Sequence, residues 1–253
     1  MLTFPRSKSD EVKFMKSSTL LNSFLYLVFA LICVSCIGCG PDFGEKLEID
    51  GAEIYYKGGV TQADAQRLGD KLKAMKFIDG NAKSVQLLKR DDVWEFRMAV
   101  GKGGNSEDLK NQMKTYCVEL SSAFDGDPVE VHICSPKLES KSVVKGLSGK
   151  RYQFQKSVYF YDGVDLATVK SFAAISIGTN LNPGGSTFHL SKSGDALEVR
   201  MSHVPAAKEN KRVAATAKNT AMAVSNQLFD GRQVDVLICD PFFDSPKVFS
   251  SAQ

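Results

Sequence analysis

The chain has 253 residues, of which 43% are hydrophobic and 24% charged, and carries a net charge of +3. This is ordinary globular composition, with apolar material for one or two cores. Residues 1–39 hold four basic side chains (Arg6, Lys8, Lys13, Lys16) and two acidic ones, which leaves 28 basic and 27 acidic in the remainder. A body so close to neutral, without a basic run, argues against nucleic acid, which demands a concentrated positive surface.

The first element is an export segment. From Ser17 to Pro41 no residue is charged, and Phe24–Ile32 reads FLYLVFALI behind Lys13 and Lys16. A basic flank, an apolar run and small residues at its end make a secretory signal. Asp10 and Glu11 are foreign to such a signal, whereas Met15 opens a regular one, MKSSTLLNSF, so translation is expected to start at Met15.

The run ends in VSCIGCGPDFG, with Gly38 before Cys39 and Val34-Ser35 before Cys36. Here the sequence resembles a bacterial lipoprotein signal, in which a small residue precedes a cysteine that is lipidated and becomes the mature N-terminus. The resemblance covers the export segment alone. It implies lipid attachment at Cys39, with Cys36, which follows Val34-Ser35, as the alternative; the sequence departs from the class in having Cys36 where leucine usually stands three residues before Cys39. Without cleavage, about 20 apolar residues suffice to span a bilayer as an anchor. Cys117, Cys134 and Cys239 remain in the body, an odd number without a C-x-x-C pair, so neither a zinc site nor a disulfide framework is indicated. They read as small buried apolar residues, with a Cys134–Cys239 bridge as the alternative after export.

The body is written twice. FDGDPVEVHICSP (124–136) answers FDGRQVDVLICDP (229–241), EIYYKGGV (53–60) answers SVYFYDGV (157–164), VQLLK (85–89) answers FHLSK (188–192), and VWEFRM (93–98) answers ALEVRM (196–201). The blocks keep their order at offsets of 103 to 105, which indicates one small domain duplicated once. In chain order, Leu47–Tyr56 reads as a hairpin about Asp50-Gly51. A helix follows, capped by Thr61 with Asp64 in its first turn and Ala65, Leu68, Leu72 and Met75 on one face. Two strands come next, with Val85/Leu87 and Trp94/Phe96/Met98 on the apolar side. A second helix, capped at Asn105 or Ser106, presents Leu109, Met113, Cys117, Leu120 and Phe124. The closing strand places Val129, Val131 and Ile133 on one face.

The second copy repeats this. Asp165 caps a helix with Val169, Phe172 and Ile175 inward, ending near NLNPGG. Phe188/Leu190 and Leu197/Val199/Met201 alternate as strands, Val213, Ala217, Ala221, Val224 and Leu228 form the second stripe, and Val234, Val236 and Ile238 close the unit. Strand, helix, strand, strand, helix, strand, with an extra strand in front, is the split βαβ order of the ferredoxin-like fold. The expected fold class is therefore α+β: two tandem ferredoxin-like (βαββαβ) units from an internal duplication, with antiparallel sheets each carrying two helices on one face. The expected organisation is an export anchor at 1–39, a first repeat at 40–139, a flexible linker at 140–150 and a second repeat at 151–253.

Chemistry is sparse. The loop VGKGGNSED (100–108) lacks both phosphate-binding glycine patterns, and no G-x-S-x-G elbow occurs. His132, His189 and His203 are too few and too dispersed to suggest a metal site. The charged feature kept in both copies is Glu-x-Arg: Glu95/Arg97 and Glu198/Arg200. Alternation places both pairs on the face away from the helices, with Gln86, Glu130 and His132 in copy one and His189, Asp235 and Cys239 in copy two. A solvated ladder of cross-strand ion pairs, contributing about 0.2–1 kcal/mol each, is the plain reading. A ligand or partner surface at Glu95, Arg97, Glu198, Arg200, His132 and His189 is the functional one. The sequence thus reads as an exported, membrane-anchored lipoprotein at the periplasmic or outer face of a bacterial envelope. It is expected to be a non-catalytic binding or scaffolding module with a protein partner, without cofactor, metal or nucleic acid. The alternative is an envelope hydrolase or small-ligand enzyme with its site between the repeats.

Overall fold

The computed structural model describes residues 42–101, 106–181, 185–202, 210–244 and 246–252. The chain divides into two units, Met1–Asp42 and Phe43–Gln253, and both repeats lie in the second. The first repeat comprises β1 (Glu45–Ile49), β2 (Ala52–Tyr56), α1 (Gln62–Ala74), β3 (Lys83–Arg90), β4 (Val93–Ala99), α2 (Glu107–Ser121), β5 (Val129–Cys134) and β6 (Ser140–Lys145). The second comprises β7 (Lys150–Phe154), β8 (Ser157–Asp162), α3 (Leu166–Gly178), β9 (Thr187–Ser193), β10 (Ala196–Ser202), α4 (Lys211–Leu228), β11 (Val234–Cys239) and β12 (Lys247–Ser250). The class is α+β with a duplicated sheet unit, and each six-stranded sheet carries two helices.

The strand order corrects the expectation of antiparallel, ferredoxin-like sheets. Both sheets run in sequence order, β1 to β6 and β7 to β12. The pairs β2/β3, β4/β5, β8/β9 and β10/β11 are parallel, so both sheets are mixed. In a split βαβ each helical crossover steps over a strand. Here each one joins immediate neighbours, and a hairpin links the two crossovers. Apolar alternation reports which face of a strand is buried but not which strand lies beside it. The segment 140–150, expected to be a flexible linker, holds strand β6, which pairs antiparallel with β5 from Glu130 to Cys134, and the start of β7. Two closing strands, β6 and β12, thus join the expected set.

Inside each repeat the predicted stripes meet the predicted faces. Ile54, Val85, Leu87, Trp94, Phe96, Met98, Val129, Val131 and Ile133 form one core with Ala65, Leu68, Leu72, Met113, Cys117 and Leu120. The second core joins Phe188, Leu190, Leu197, Val199, Met201, Val234, Val236 and Ile238 to Val169, Phe172, Ala217, Ala221 and Val224. Thr61 caps α1 in a complete capping box with Asp64, Ser106 caps α2, and Asp165 caps α3. The twin FDG segments are the same turn. Asp125-Gly126 and Asp230-Gly231 all adopt positive φ, and the glycine N–H bonds back to the helix at Ser121 O or Ser225 O, 3.0 Å in each case. Positive φ is cheap for Gly and tolerable for Asp, so Asp-Gly suits this reversal.

Alignment of the faces corrects one offset. Ile54 pairs with Val85, and Tyr159 pairs with Phe188, so Ile54 corresponds to Tyr159 at a spacing of 105 rather than 104. The first repeat spends an extra residue in its Gly58-Gly59 turn. A one-residue slip would have turned every side chain of β2 to the wrong face.

The repeats are stacked rather than strung. Val118, off the predicted stripe of α2, is fully buried against Phe160 and Phe243, with Leu147 and Val158 around them. Phe160 alternates with the core residue Tyr159, so it lies on the back of the second sheet. One side of α2 therefore packs on its own sheet and another on the back of the next. Ser121 Oγ accepts the Gly149 N–H at 2.9 Å, and Lys114 pairs with Asp244. Met222 in α4 corresponds to Val118 yet is 39% exposed. Phe160→Ala should therefore lower unfolding free energy by about 3–5 kcal/mol, the cost of emptying a buried aromatic site. Met222→Ala should stay within about 0.5 kcal/mol. Urea midpoints at constant m-value would measure both.

Candidate functional site

The conserved Glu-x-Arg pairs form as ion pairs within each repeat. Arg97 Nη2 meets Glu95 Oε2 at 2.7 Å, and Arg200 Nε meets Glu198 Oε1 at 2.7 Å. Both pairs stand on the sheet backs, as alternation requires. The plain reading of a solvated ladder fails in the first repeat, where Glu95 is only 3% exposed and Gln86 and His132 are also buried. Glu95 is held by two guanidiniums, since Arg90 Nη2 approaches Oε1 at 3.0 Å. His132 Nδ1 lies 3.0 Å from Ser140 Oγ, and its Nε2 lies 3.7 Å from Glu130 and 3.9 Å from Glu95, without a hydrogen-bond partner. Burial outweighs these carboxylates and holds the imidazole below its ordinary value of 6.5. The arrangement is a network of ion pairs in which Arg90 and Arg97 both meet Glu95. Among the described residues no group of three or more His, Cys, Asp and Glu side chains is arranged to hold a metal ion.

Part of this face is covered by its own connections. Leu138, in the β5–β6 turn at φ 58, is buried, as is its counterpart Phe243 in the β11–β12 turn at φ 64. The two turns share their hydrogen bonds: Ser135 N to Glu139 O matches Asp240 N to Asp244 O, and Leu138 N to Ser135 O matches Phe243 N to Asp240 O. The strand entering each repeat is also tied alike. Gln86 Nε2 donates to Phe43 O at 2.8 Å, and His189 Nε2 lies 2.7 Å from Ser148 O, which makes Nε2 the protonated nitrogen. His189 Nδ1 is left without a partner. Its ring meets Phe243 edge-on at 6.4 Å.

The expected site residues are not brought to one place. Glu95, Arg97 and His132 stand on the back of the first sheet. Glu198, Arg200 and His189 stand on the back of the second, with the first repeat's helices and the front of its sheet between the two sets. His203 and residues 102–105 of the loop 100–108 lie outside the described residues, as do Cys36 and Cys39. The thiols of the body are buried, Cys134 and Cys239 stand at matching positions in separate sheets, and the bridge between them is not formed. Burial pushes Cys117 up to about 12 and Cys134 up to about 11, so both remain unreactive thiols.

A cleft of about 630 Å³ does open between the repeats, but other residues line it. Asp125, Asp127, Lys150, Tyr161, Asp162 and Asp165 supply its polar groups, from the first FDG turn, the start of β7 and the β8–α3 turn. Asp127 accepts the Trp94 indole N–H at 3.2 Å, and Asp165 is occupied as the α3 cap, so these carboxylates already have structural partners. The spacing of Asp-Gly turns in the sequence marked this loop cluster, but not its meeting across the repeats. Val118 was missed because it falls off the helical stripe. The signal was there: a large apolar residue stands off the stripe at the same place in both copies, Val118 and Met222.

A family model described as a family N-terminal domain matches residues 46–146, less than half of the chain. The match runs from β1 to just beyond β6, one whole repeat including the strand expected to be linker. No curated protein and no solved structure matches.

His189 sets a pH dependence. Burial, aided by Arg200 and opposed by Ser148, Asp162 and Glu198, holds its folded value below the ordinary 6.5. The unfolded chain then binds the proton more readily, so this contribution is complete above 6.5 and is lost as pH falls below it. His189→Gln keeps a donor for Ser148 O, as Gln86 does for Phe43 O, and removes the titration. The variant should therefore gain stability relative to the parent between pH 7.5 and pH 5, measured by urea unfolding across that range.

Proposed function

We propose that this is an exported, lipid-anchored protein of the bacterial cell envelope whose duplicated body is a non-catalytic binding or scaffolding module. The anchor reading is supported by the charge-free run from Ser17 to Pro41 and the Gly38-Cys39 junction. Among the described residues no helix is long and apolar enough to cross a membrane. The observation that carries the non-catalytic reading is the separation of the two Glu/Arg/His sets on the backs of different sheets. A general acid and base must converge on one reacting group within hydrogen-bond reach, and these sets do not converge on each other. The paired turns, plugs and ion pairs support an origin of the body by internal duplication.

A second reading, a small-ligand site between the repeats, is favoured by the interrepeat cleft. Its acidic lining would suit a cationic or polyhydroxylated ligand. It would use Asp125, Asp127 and Asp162 rather than the Glu/Arg faces.

Two measurements test the anchor and the non-catalytic reading. With Cys39→Ser, incorporation of labelled fatty acid should disappear and the protein should accumulate as unprocessed precursor; retention of label would move the attachment to Cys36. Alanine at Glu95, Arg97, Glu198 and Arg200 should leave capture of a partner from solubilised envelopes unaffected when each variant is folded, while a loss of turnover on any envelope substrate would restore the catalytic reading.

A further inference from the structure

The junction between the repeats is heterologous, a side of α2 on the back of the next sheet, and such a contact leaves the matching half of each surface unused. On the donor side of the junction stand Lys114 and Val118 of α2. On the acceptor side stand Phe243 and Asp244 of the β11–β12 turn and Phe160 of β8. Each has a counterpart at the opposite end of the molecule. Lys218 and Met222 occupy the donor positions on the outer side of α4 and are exposed. Leu138 and Glu139 occupy the acceptor positions in the β5–β6 turn, with the same turn geometry and the same hydrogen bonds as Phe243 and Asp244. Tyr55 stands for Phe160, half-buried beneath Phe43 at 5.2 Å between ring centroids.

The sign of charge is kept, and Met222, Leu138 and Tyr55 stand where Val118, Phe243 and Phe160 stand. Lysine on the helix faces a carboxylate in the turn at the internal junction, and lysine and glutamate remain at the ends. The outer side of α3 is also unlike that of α1. Leu166, Ala167, Ala174 and Ile177 are exposed there with Lys170, where α1 shows Gln66, Arg67, Asp70 and Lys73. These apolar groups are area that a second copy would cover.

We infer that a second copy of this chain docks its first-sheet back, at Leu138 and Glu139, onto the α3/α4 face of the first, repeating the internal junction between molecules. Lys218 of one molecule pairs with Glu139 of the next, and Met222 packs toward Tyr55, beside the turn that holds the buried Leu138. The contact is heterologous, so it propagates as a head-to-tail stack unless it closes into a ring. Two replacements make it weaker than the internal one. Val158 and Phe160 on the second sheet become Glu53 and Tyr55 on the first, and Tyr55 Oη bonds to Glu53 at 2.9 Å, which exchanges apolar for polar contact area. The association is accordingly reversible and concentration-dependent, with the lysine–glutamate pair setting its register.

The test is sedimentation velocity of the full chain in excess detergent over a wide concentration range, on the parent, Lys218→Glu, Glu139→Lys and the double variant. The parent should form dimers and larger species as concentration rises. Each single reversal should weaken association about tenfold or more, because like charges then face each other, and the double variant should recover it. Both residues are exposed, and unchanged circular dichroism melts would certify the fold; Met222→Glu provides an independent disruption of the same contact. A parent that stays monomeric overturns the inference. So does association that ignores both reversals, which would place the contact in residues 1–42, or association broken by Met222→Glu but not by Glu139→Lys, which would mean that the helix face pairs with itself.

Discussion

The architecture depends on α2 having two apolar sides. A helix on one face of a single sheet needs one buried stripe, and Met113, Cys117 and Leu120 supply it. Val118 adds a second, turned by one residue, and that side meets Phe160 and Phe243 on the back of the next sheet. Burying one aliphatic side chain contributes about 1.5–3 kcal/mol, but the consequence here is geometric. Once α2 is held between two sheets, the back of the second sheet ceases to be surface, and the polar side chains on it must find partners inside the protein.

Those partners come from the chain that passes between the repeats and from the β11–β12 turn. Ser148 O receives His189, Gly149 N reaches Ser121 Oγ, and Phe243 O accepts from Arg200 Nη1 at 3.3 Å. Gly146 lies so close to α2 that a Cβ there would stand 2.7 Å from Cys117 Cβ and from Lys114 O, so only glycine lets the strand leave along this path. A segment that reads as polar and glycine-bearing is therefore ordered by close approach rather than left loose. The same polar tie exists on the first sheet, where Gln86 reaches Phe43 O. The repeats share the hydrogen bond but differ in titration, since the histidine can take up a proton and the glutamine cannot.

The functional consequence follows from the layering. Each Glu-x-Arg pair is neutralised on its own sheet back, and a sheet and its helices intervene between the two pairs. A fold that stacks a helix layer of one copy on the sheet back of the next keeps the two Glu-x-Arg faces apart. A twofold arrangement would have turned those faces toward each other and made a shared cleft. The interrepeat cleft that does exist is formed by turn residues, and its carboxylates are partly committed to a helix cap and an indole.

Much was legible in the residues themselves. Period-two alternation identified the buried face of every strand it covered, and helical spacing identified Leu68, Leu72, Met113, Cys117, Leu120, Ala217, Ala221 and Val224 as core. The capping residues Thr61 and Asp165 and the Asp-Gly reversals follow from side-chain and backbone chemistry that acts within a few residues. The duplication was visible because it is a relation between letters. Strand order, the parallel pairings, the ordering of 140–150 and the burial of Val118 and Glu95 belong to the tertiary structure. Each depends on which surfaces meet across a hundred residues, and local periodicity carries no record of the neighbour that a face will find. Val118 and Met222 occupy the same place in the same helix pattern, and only the sheet that lies over one of them makes it core and leaves the other exposed.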